Sequence, residues 1–527
     1  MDNKRKIFTG VLLLFFVATG ITYGQWSVEL SPATKVENKI GYPLYKWYPD
    51  GHITVLPDDK GYIMFWSEFE SYRSTGTSPF VEDQTMLDPA NSVFGRRGNF
   101  NSWDNGGSWL MSVFRKSGND FIGFYHAEDH WYPHTSNDIA WKSLAVTYSS
   151  DKGKTWSNGT QIITSPTTKP ATPTWGGAGD CCVVWDHINN RWMCYYQENW
   201  ILMAISTDPK GAPGTWKKYY NGSFTEQGLG GQHTKLPGLS SVSGGNPSVH
   251  WNTYLKKWVM VWHGWSPTSI YLSVSKDGMN WDLPKSIIVS SISGKAWYPT
   301  IIGYTDVEAG QIAKIYYADI AGDFSYRNFE TRTITFFDSE NISPATAQID
   351  QPIDNYKVSS PNEKVEIKAS VNNIKAAIER AEFYMDNQLI GKDFSFPYQL
   401  MWTPDKSGSH SIKTIFFDVK GEKIESREIK VDVGYNVGIT SPHKYNSDFL
   451  IYPCPFTDKI TLAGLPPGRK EVRIYSATSA LLHYKYYSDR QFEINLPDLN
   501  VGIYLLMVRG SQTTYQKKIT KIEKVRN

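Results

Sequence analysis

Three aspartates, Asp50, Asp104 and Asp180, each open a short strand-like run, and three glutamates, Glu68, Glu128 and Glu198, each close one. Carboxylates gathered in this way suit acid–base cleavage of a glycosidic acetal. One carboxyl, kept protonated, assists the leaving oxygen while another, ionised, activates water or attacks carbon. Asp50, Asp104, Glu128, Asp180 and Glu198 are therefore the candidate catalytic residues, with Glu68 at an equivalent strand end. The densest chemical segment is 124–132, FYHAEDHWY, where acids, imidazoles and aromatics crowd one strand end. His126, His130 and Trp131 there, together with Trp109, His263 and Trp265, are candidate substrate-binding groups, since flat rings stack on the apolar faces of sugars. One Asp before a strand often only caps a turn, so the set counts for more than any single member.

Such side chains need a scaffold that returns several strand ends to one place. An internal repeat supplies it. A strand ending in an aromatic residue and a polar pair recurs at 62–68 (YIMFWSE), 121–128 (FIGFYHAE), 192–198 (WMCYYQE), 258–264 (WVMVWHG) and 315–319 (IYYAD). The spacing is that of one four-stranded blade plus loops, which predicts an all-β, five-bladed propeller. Each copy follows a segment that reads as the inner strand of its blade. Antiparallel pairing then places the start of one strand and the end of the next on the same mouth, around a central funnel. Ser149-Ser-Asp151-Lys-Gly153-Lys-Thr155-Trp156 matches an Asp-box turn, and weaker copies lie at 206–216 and 275–281. Asp closes that turn through its own backbone, Gly supplies a positive φ, and Trp plugs the gap between sheets, so these residues read as structural.

The rest of the chain serves other ends. Lys4, Arg5 and Lys6 precede an apolar run over 11–18, so residues 1–24 are expected to be a cleavable secretory signal. No later stretch is long enough to span a bilayer, so a secreted or surface-attached product is expected. Lysine and arginine total 54 against 52 acidic residues, a balance that gives no reason to propose nucleic acid or an anionic membrane as partner. Cys181, Cys182 and Cys194 cluster without ligand-spaced His or carboxylate and read as small buried residues with room for one bridge; Cys454 stands alone. No catalytic metal or cofactor is predicted, with space left for a structural calcium in the propeller. Beyond about residue 345 Trp becomes scarce, and 351–434 alternates as a small sandwich. Its stretch 394–413, FSFPYQLMWTPDKSGSHSIK, resembles the bacterial immunoglobulin-like modules appended to secreted polysaccharide-degrading enzymes, which implies a spacer or a weak sugar-binding module. Within 445–527, IYPCPFTDKITL, VRIY, LNVGIYLL and KKIT occur in the order seen in the type IX secretion system C-terminal sorting domain of the Bacteroidetes, with Cys454 where that family has Asn. That resemblance implies the secretion machinery as partner and export through periplasm and outer membrane.

Residues 25–345 as an architecture resemble the five-bladed propeller glycoside hydrolases of families 43, 62 and 117. The resemblance implies a carbohydrate substrate, from a plant or algal polysaccharide, and carboxylates from the first three blades as base, pKa modulator and acid. It assigns Asp50 or Asp104 as base, Asp180 as modulator and Glu128 or Glu198 as acid. A polysaccharide lyase acting on a uronate-containing, ulvan-like glycan is the alternative, with His126, His130, His263, Tyr125 and Arg96 or Arg97 as candidates. A non-catalytic sugar-binding propeller is the third reading. A sialidase, suggested by the Asp box, would need three arginines, a Tyr nucleophile and normally six blades, whereas five repeats are visible and no F-R-I-P segment opens the domain.

Overall fold

Runs rich in Val, Ile, Tyr, Phe and Trp, closed after a few residues by Gly, Pro, Asn or Asp, favour extended backbone over helix. The computed structural model describes residues 26–522 except 37–48, 69, 87–91, 97–100, 133–138, 267, 290–294, 321–326, 360–362, 435–449, 455, 466–467, 469, 477–480 and 510–513. Among the described residues every regular element is a strand apart from one helical turn, Val81–Asp83. The chain is all-β.

Up to residue 338 the strands form five antiparallel meanders. The first sheet holds Thr54–Asp58, Gly61–Glu68, Glu70–Gly76 and Gln84–Met86; the second holds Ser108–Ser117, Asp120–Asp129, Trp141–Ser149 and Thr160–Ile163. The third runs from Gly179–Asp186 through Arg191–Glu198 and Trp200–Ser206 to two outer strands, and the fourth from Gly244–Asn252 through Lys257–Gly264 and Ser269–Ser275 to Lys285–Val289. The fifth contains Lys295–Ile302, Ile312–Ile320 and Arg327–Asp338, and its outer strand comes from the other end of the sequence: Trp26–Leu30 pairs with Arg327–Asp338 from Trp26↔Asp338 to Leu30↔Ile334.

Consecutive sheets pack face to face. Ile63 and Phe65 of the first sheet meet Leu110 and Tyr125 of the second. Phe124 and Leu144 meet Val183 and Trp192 of the third. Cys182 and Tyr195 meet Val249 and Trp262 of the fourth, whose Val259 and Leu272 meet Ile301 and Ile315 of the fifth. Ile302 and Tyr316 of the fifth return to Ile53 and Trp66 of the first. The strand pleat explains this: Phe124 and Tyr125 are neighbours in sequence and so face opposite sides of one sheet.

The Asp-box residues are turn and wedge. Asp151 Oδ1 accepts from the backbone N–H of Lys154 and Thr155, both at 3.0 Å, and Gly153 has φ +76°. Trp156 then fills the space between the first two sheets, 5.8 Å from the Phe65 ring. Asp277, Gly278 and Trp281 repeat the arrangement between the third and fourth sheets. Near the centre, His52 Nε2 lies 3.0 Å from Asp306 Oδ2, an ion pair sealed from solvent, with the Cys182 thiol 3.9 Å away. The cluster cysteines are free and buried; Cys454 is exposed.

Residues 346–433 form two sheets around Ile367, Phe383, Phe416 and Val431. This sandwich is fastened to the fifth sheet. Gln311 donates to Ile374 O at 2.9 Å and accepts from Ile374 N–H at 3.0 Å, and Phe396 packs edge-on against Phe80. The chain divides by contact density at residue 435/436. The C-terminal unit has a three-stranded and a four-stranded sheet enclosing Ile460, Leu462, Val472, Ile474, Leu506 and Val508. No helix among the described residues is long and apolar enough to cross a membrane. The secretory signal of 1–24 and Arg97 lie outside the described residues.

Candidate active site

Register fixes which residues share an end. Ser108 pairs with Ala127, Gly179 with Gln197, Gly244 with Gly264 and Lys295 with Ile320, so in each sheet the start of the first strand sits beside the end of the second. In the first sheet the Asp50 N–H donates to Ser67 O at 3.1 Å, which puts Asp50 at the corresponding end.

One polar chain joins this end across three sheets. Asp180 is the extra residue of a bulge between Gly179 and Cys181, and bulges re-aim side chains. Its backbone N–H donates to His126 Nδ1 at 2.8 Å, and its carboxylate lies 3.3 Å from the same nitrogen. With Nδ1 accepting from the Asp180 N–H, Nε2 is the ring nitrogen that carries a proton towards Glu128 Oε1, 3.5 Å away. The other Glu128 oxygen lies 2.9 Å from His130 Nε2. Burial alone would raise the Glu128 carboxyl, but hydrogen bonds and charge from the two imidazoles outweigh it and bring it down to about 2. The indole of Trp109 stands edge-on to His126, with centroids 5.0 Å apart, and donates to Asp50 Oδ2 at 3.1 Å. Arg327, on the fifth sheet, donates to Asp50 Oδ1 at 3.0 Å and to Pro49 O at 2.7 Å, and lies over the Tyr298 ring. Asp50 and Asp180 keep side-chain exposures of 20% and 16%, so water reaches both.

The remaining candidates sit apart from this chain. Asp104 is buried on the opposite side of the second sheet, held by the Ser102 hydroxyl and by Tyr125 Oη at 3.5 Å; Tyr125 is itself core. Glu198 ends the second strand of the third sheet, where the Ser165 hydroxyl donates to it at 2.6 Å and His233 Nδ1 lies 3.9 Å away. Burial raises its carboxyl above the usual range, offset only in part by Ser165, Lys218 and Lys142. His263 is stacked on Trp297 at 4.6 Å and flanked edge-on by Trp265. Burial, with Lys142 and Lys295 nearby, lowers it to about 3 and keeps it neutral. Trp131, His130 and Tyr132 line a cleft of about 320 Å³ with Asn101, Asp129, Lys169, Ala171 and Pro173. Lys169 bonds Asp129 at 2.6 Å and lies 4.3 Å above the Trp131 ring. Arg96 donates to Gly106 O on the same rim.

Arg327, Tyr298 and Asn246 are absent from the candidates read from sequence. Arg327 belongs to no motif. Tyr298 and Asn246 do stand where Asp180 stands in the repeat, and that equivalence is the signal that could have found them.

Comparison with families and solved structures adds the following. Residues 346–413 match the model of a bacterial Ig domain, and 450–522 that of a secretion system C-terminal sorting domain. Comparison with curated proteins finds no match. Similar solved structures include a family 117 glycoside hydrolase of the marine bacterium Zobellia galactanivorans, 12% identical over 61% of this chain and 92% of that one, with TM-score 0.37. An endo-arabinase from Bacteroides thetaiotaomicron is 13% identical over 55% of this chain and 95% of that one, with TM-score 0.34. Fibronectin(III)-like modules from Clostridium thermocellum are 26% identical over 17% of this chain and 94% of that one, with TM-score 0.16. Likeness at this level does not extend to residue roles. Behind its five sheets, the chain carries a bacterial Ig domain and a secretion-system sorting domain.

Proposed function

We propose that this chain is an exported glycoside hydrolase acting on a plant or algal polysaccharide, with its five sheets as the blades of one propeller. Residues 25–345 form the catalytic domain, 351–434 the Ig-like module and 445–527 the type IX sorting domain. The observation that carries the reading is the polar cluster in which Trp109 donates to Asp50 and stands edge-on to His126, while His126 meets both Asp180 and Glu128, so that two solvent-reached carboxylates flank one imidazole. Asp50, held by Arg327 and the Trp109 N–H, serves as the base that activates water. Asp180, the modulator, sets the orientation of His126 beside it. Glu198, raised by burial, serves as the acid, because a carboxyl must be protonated to assist a leaving oxygen. Glu128, at about 2, stays ionised and anchors the two imidazoles instead. Asp104 is a wall residue.

The test begins with secreted protein on a panel of algal and plant polysaccharides, reading reducing ends and ultraviolet absorbance together. Asp50→Asn and Asp180→Asn should each lower kcat/KM on the order of 10²- to 10⁴-fold with the thermal midpoint unchanged. Unchanged turnover in both sinks the assignment. One observation favours a lyase: Tyr298, Arg327 and neutral His263 gather near Asp50, and a lyase needs a tyrosine or histidine beside a cation. A product that absorbs in the ultraviolet would decide for it.

A further inference from the structure

Three consecutive sheet junctions are latched alike. Asp180, Asn246 and Tyr298 have φ of +29°, +51° and +55°, a left-handed region uncommon for non-glycine residues and entered more readily by Asp and Asn than by Tyr. Each lies at a bulge near the start of its sheet's first strand. Each N–H donates to a second-strand side chain of the preceding sheet: Asp180 to His126 Nδ1 at 2.8 Å, Asn246 to Gln197 Oε1 at 3.2 Å, Tyr298 to His263 Nδ1 at 3.4 Å. Asp180, Asn246 and Tyr298 therefore occupy one repeated station on the third, fourth and fifth sheets.

Two of these stations already adjoin the proposed chemistry, Asp180 as one of its carboxylates and Tyr298 beside Arg327 and Asp50. Asn246 completes the series. Its residue is 6% exposed, and its Oδ1 is buried with no hydrogen-bond partner. A buried carbonyl oxygen left unpaired costs about 1–3 kcal/mol, so such an atom calls for an explanation. It faces across the molecule. A Cβ placed on Gly51, the residue after Asp50, would stand 4.0 Å from Asn246 Oδ1, although Gly51 belongs to the first sheet and Asn246 to the fourth. With Oδ1 unpaired, no hydrogen bond to that atom stops the carboxamide turning about its Cβ–Cγ bond to offer either edge.

We infer that Asn246 is a substrate-binding residue whose carboxamide hydrogen-bonds a hydroxyl of the saccharide held beside Asp50 and Asp180. The inference rests on the saccharide reading above and adds to it a neutral, hydroxyl-selecting contact at the fourth sheet. An amide suits that role because it donates and accepts without adding charge between two carboxylates.

Two variants test it. Asn246→Gly removes the carboxamide and keeps the left-handed backbone free of strain. Asn246→Asp keeps shape and backbone preference but replaces the amide donor by charge. Binding is measured by titration calorimetry with agarose, arabinan, xylan and alginate oligosaccharides on the full chain, and KM and kcat are measured on whichever polysaccharide is cleaved. Both variants should weaken binding about tenfold, the worth of one neutral hydrogen bond, through KM more than kcat, and Asn246→Gly, freed of the unpaired oxygen, should melt no lower than the parent. Binding unaltered in both variants overturns this inference and leaves the hydrolase reading standing. A parent protein that binds none of the four sugars overturns both.

Discussion

Glu128 and Glu198 close the same strand of neighbouring sheets, yet their surroundings drive them apart. Two imidazoles hold Glu128 ionised, whereas burial raises Glu198, which has one hydroxyl and two lysines to offset it. The alkaline limb of the kcat/KM profile should therefore belong to Glu198, and Glu198→Gln should lower activity and flatten that limb, read by a pH–rate profile of parent and variant. Histidines set the stability profile. His250 and His263 are buried and lowered to about 3, so the unfolded chain binds protons between pH 6.5 and 3 that the folded one refuses, and stability falls as pH drops through that window. His52 is the reverse. Burial would lower it, but Cys182 and Asp306 raise it to about 10, so its contribution is complete below pH 6.5 and fades as pH climbs towards 10. Thermal scans should show His250→Met less acid-sensitive than the parent. Sequence made Asp50 and Asp180 legible because the repeat marked where inner strands begin. Asp104 was marked by the same rule but lies under Tyr125, on the face of the second sheet turned away from His126. Nothing in the local sequence of Arg327 reveals that it meets Asp50, because that contact exists only once the fifth sheet returns to the first.

At the scale of elements, the second strands and the Asp-box turns were the legible parts. Aromatic residues there must be wedges between sheets, and Trp156 touches both Phe65 and Phe94. Trp156→Ala should cost about 3–5 kcal/mol in denaturant unfolding while leaving KM unchanged. Gly153→Ala joins backbone strain to a clash, for a Cβ there would stand 2.3 Å from Phe65 Cζ. The outer strand of the fifth sheet was not legible. Trp26–Leu30 carries no repeat signature and is fixed only by pairing with a strand from the far side of the sequence.

At the scale of the molecule, the Ig-like sandwich is a fixed attachment rather than a tether. Gln311→Ala removes both hydrogen bonds to Ile374 and should loosen that junction by about 1–3 kcal/mol, visible as earlier proteolysis after residue 345. The sorting domain forms its own contact unit. Deleting 436–527 should leave the unfolding of the remainder unaltered and abolish appearance of the protein in the medium, checked by immunoblot of fractions. Trp26–Leu30, the first of the described strands in the five sheets, pairs with Arg327–Asp338, the last of them. No nascent chain can finish its fifth sheet before residue 338 has left the ribosome, so that sheet is completed in one late step governed by long-range contact. Until then Trp26–Leu30 has no partner, and its row of unpaired backbone groups stays open to the wrong neighbour.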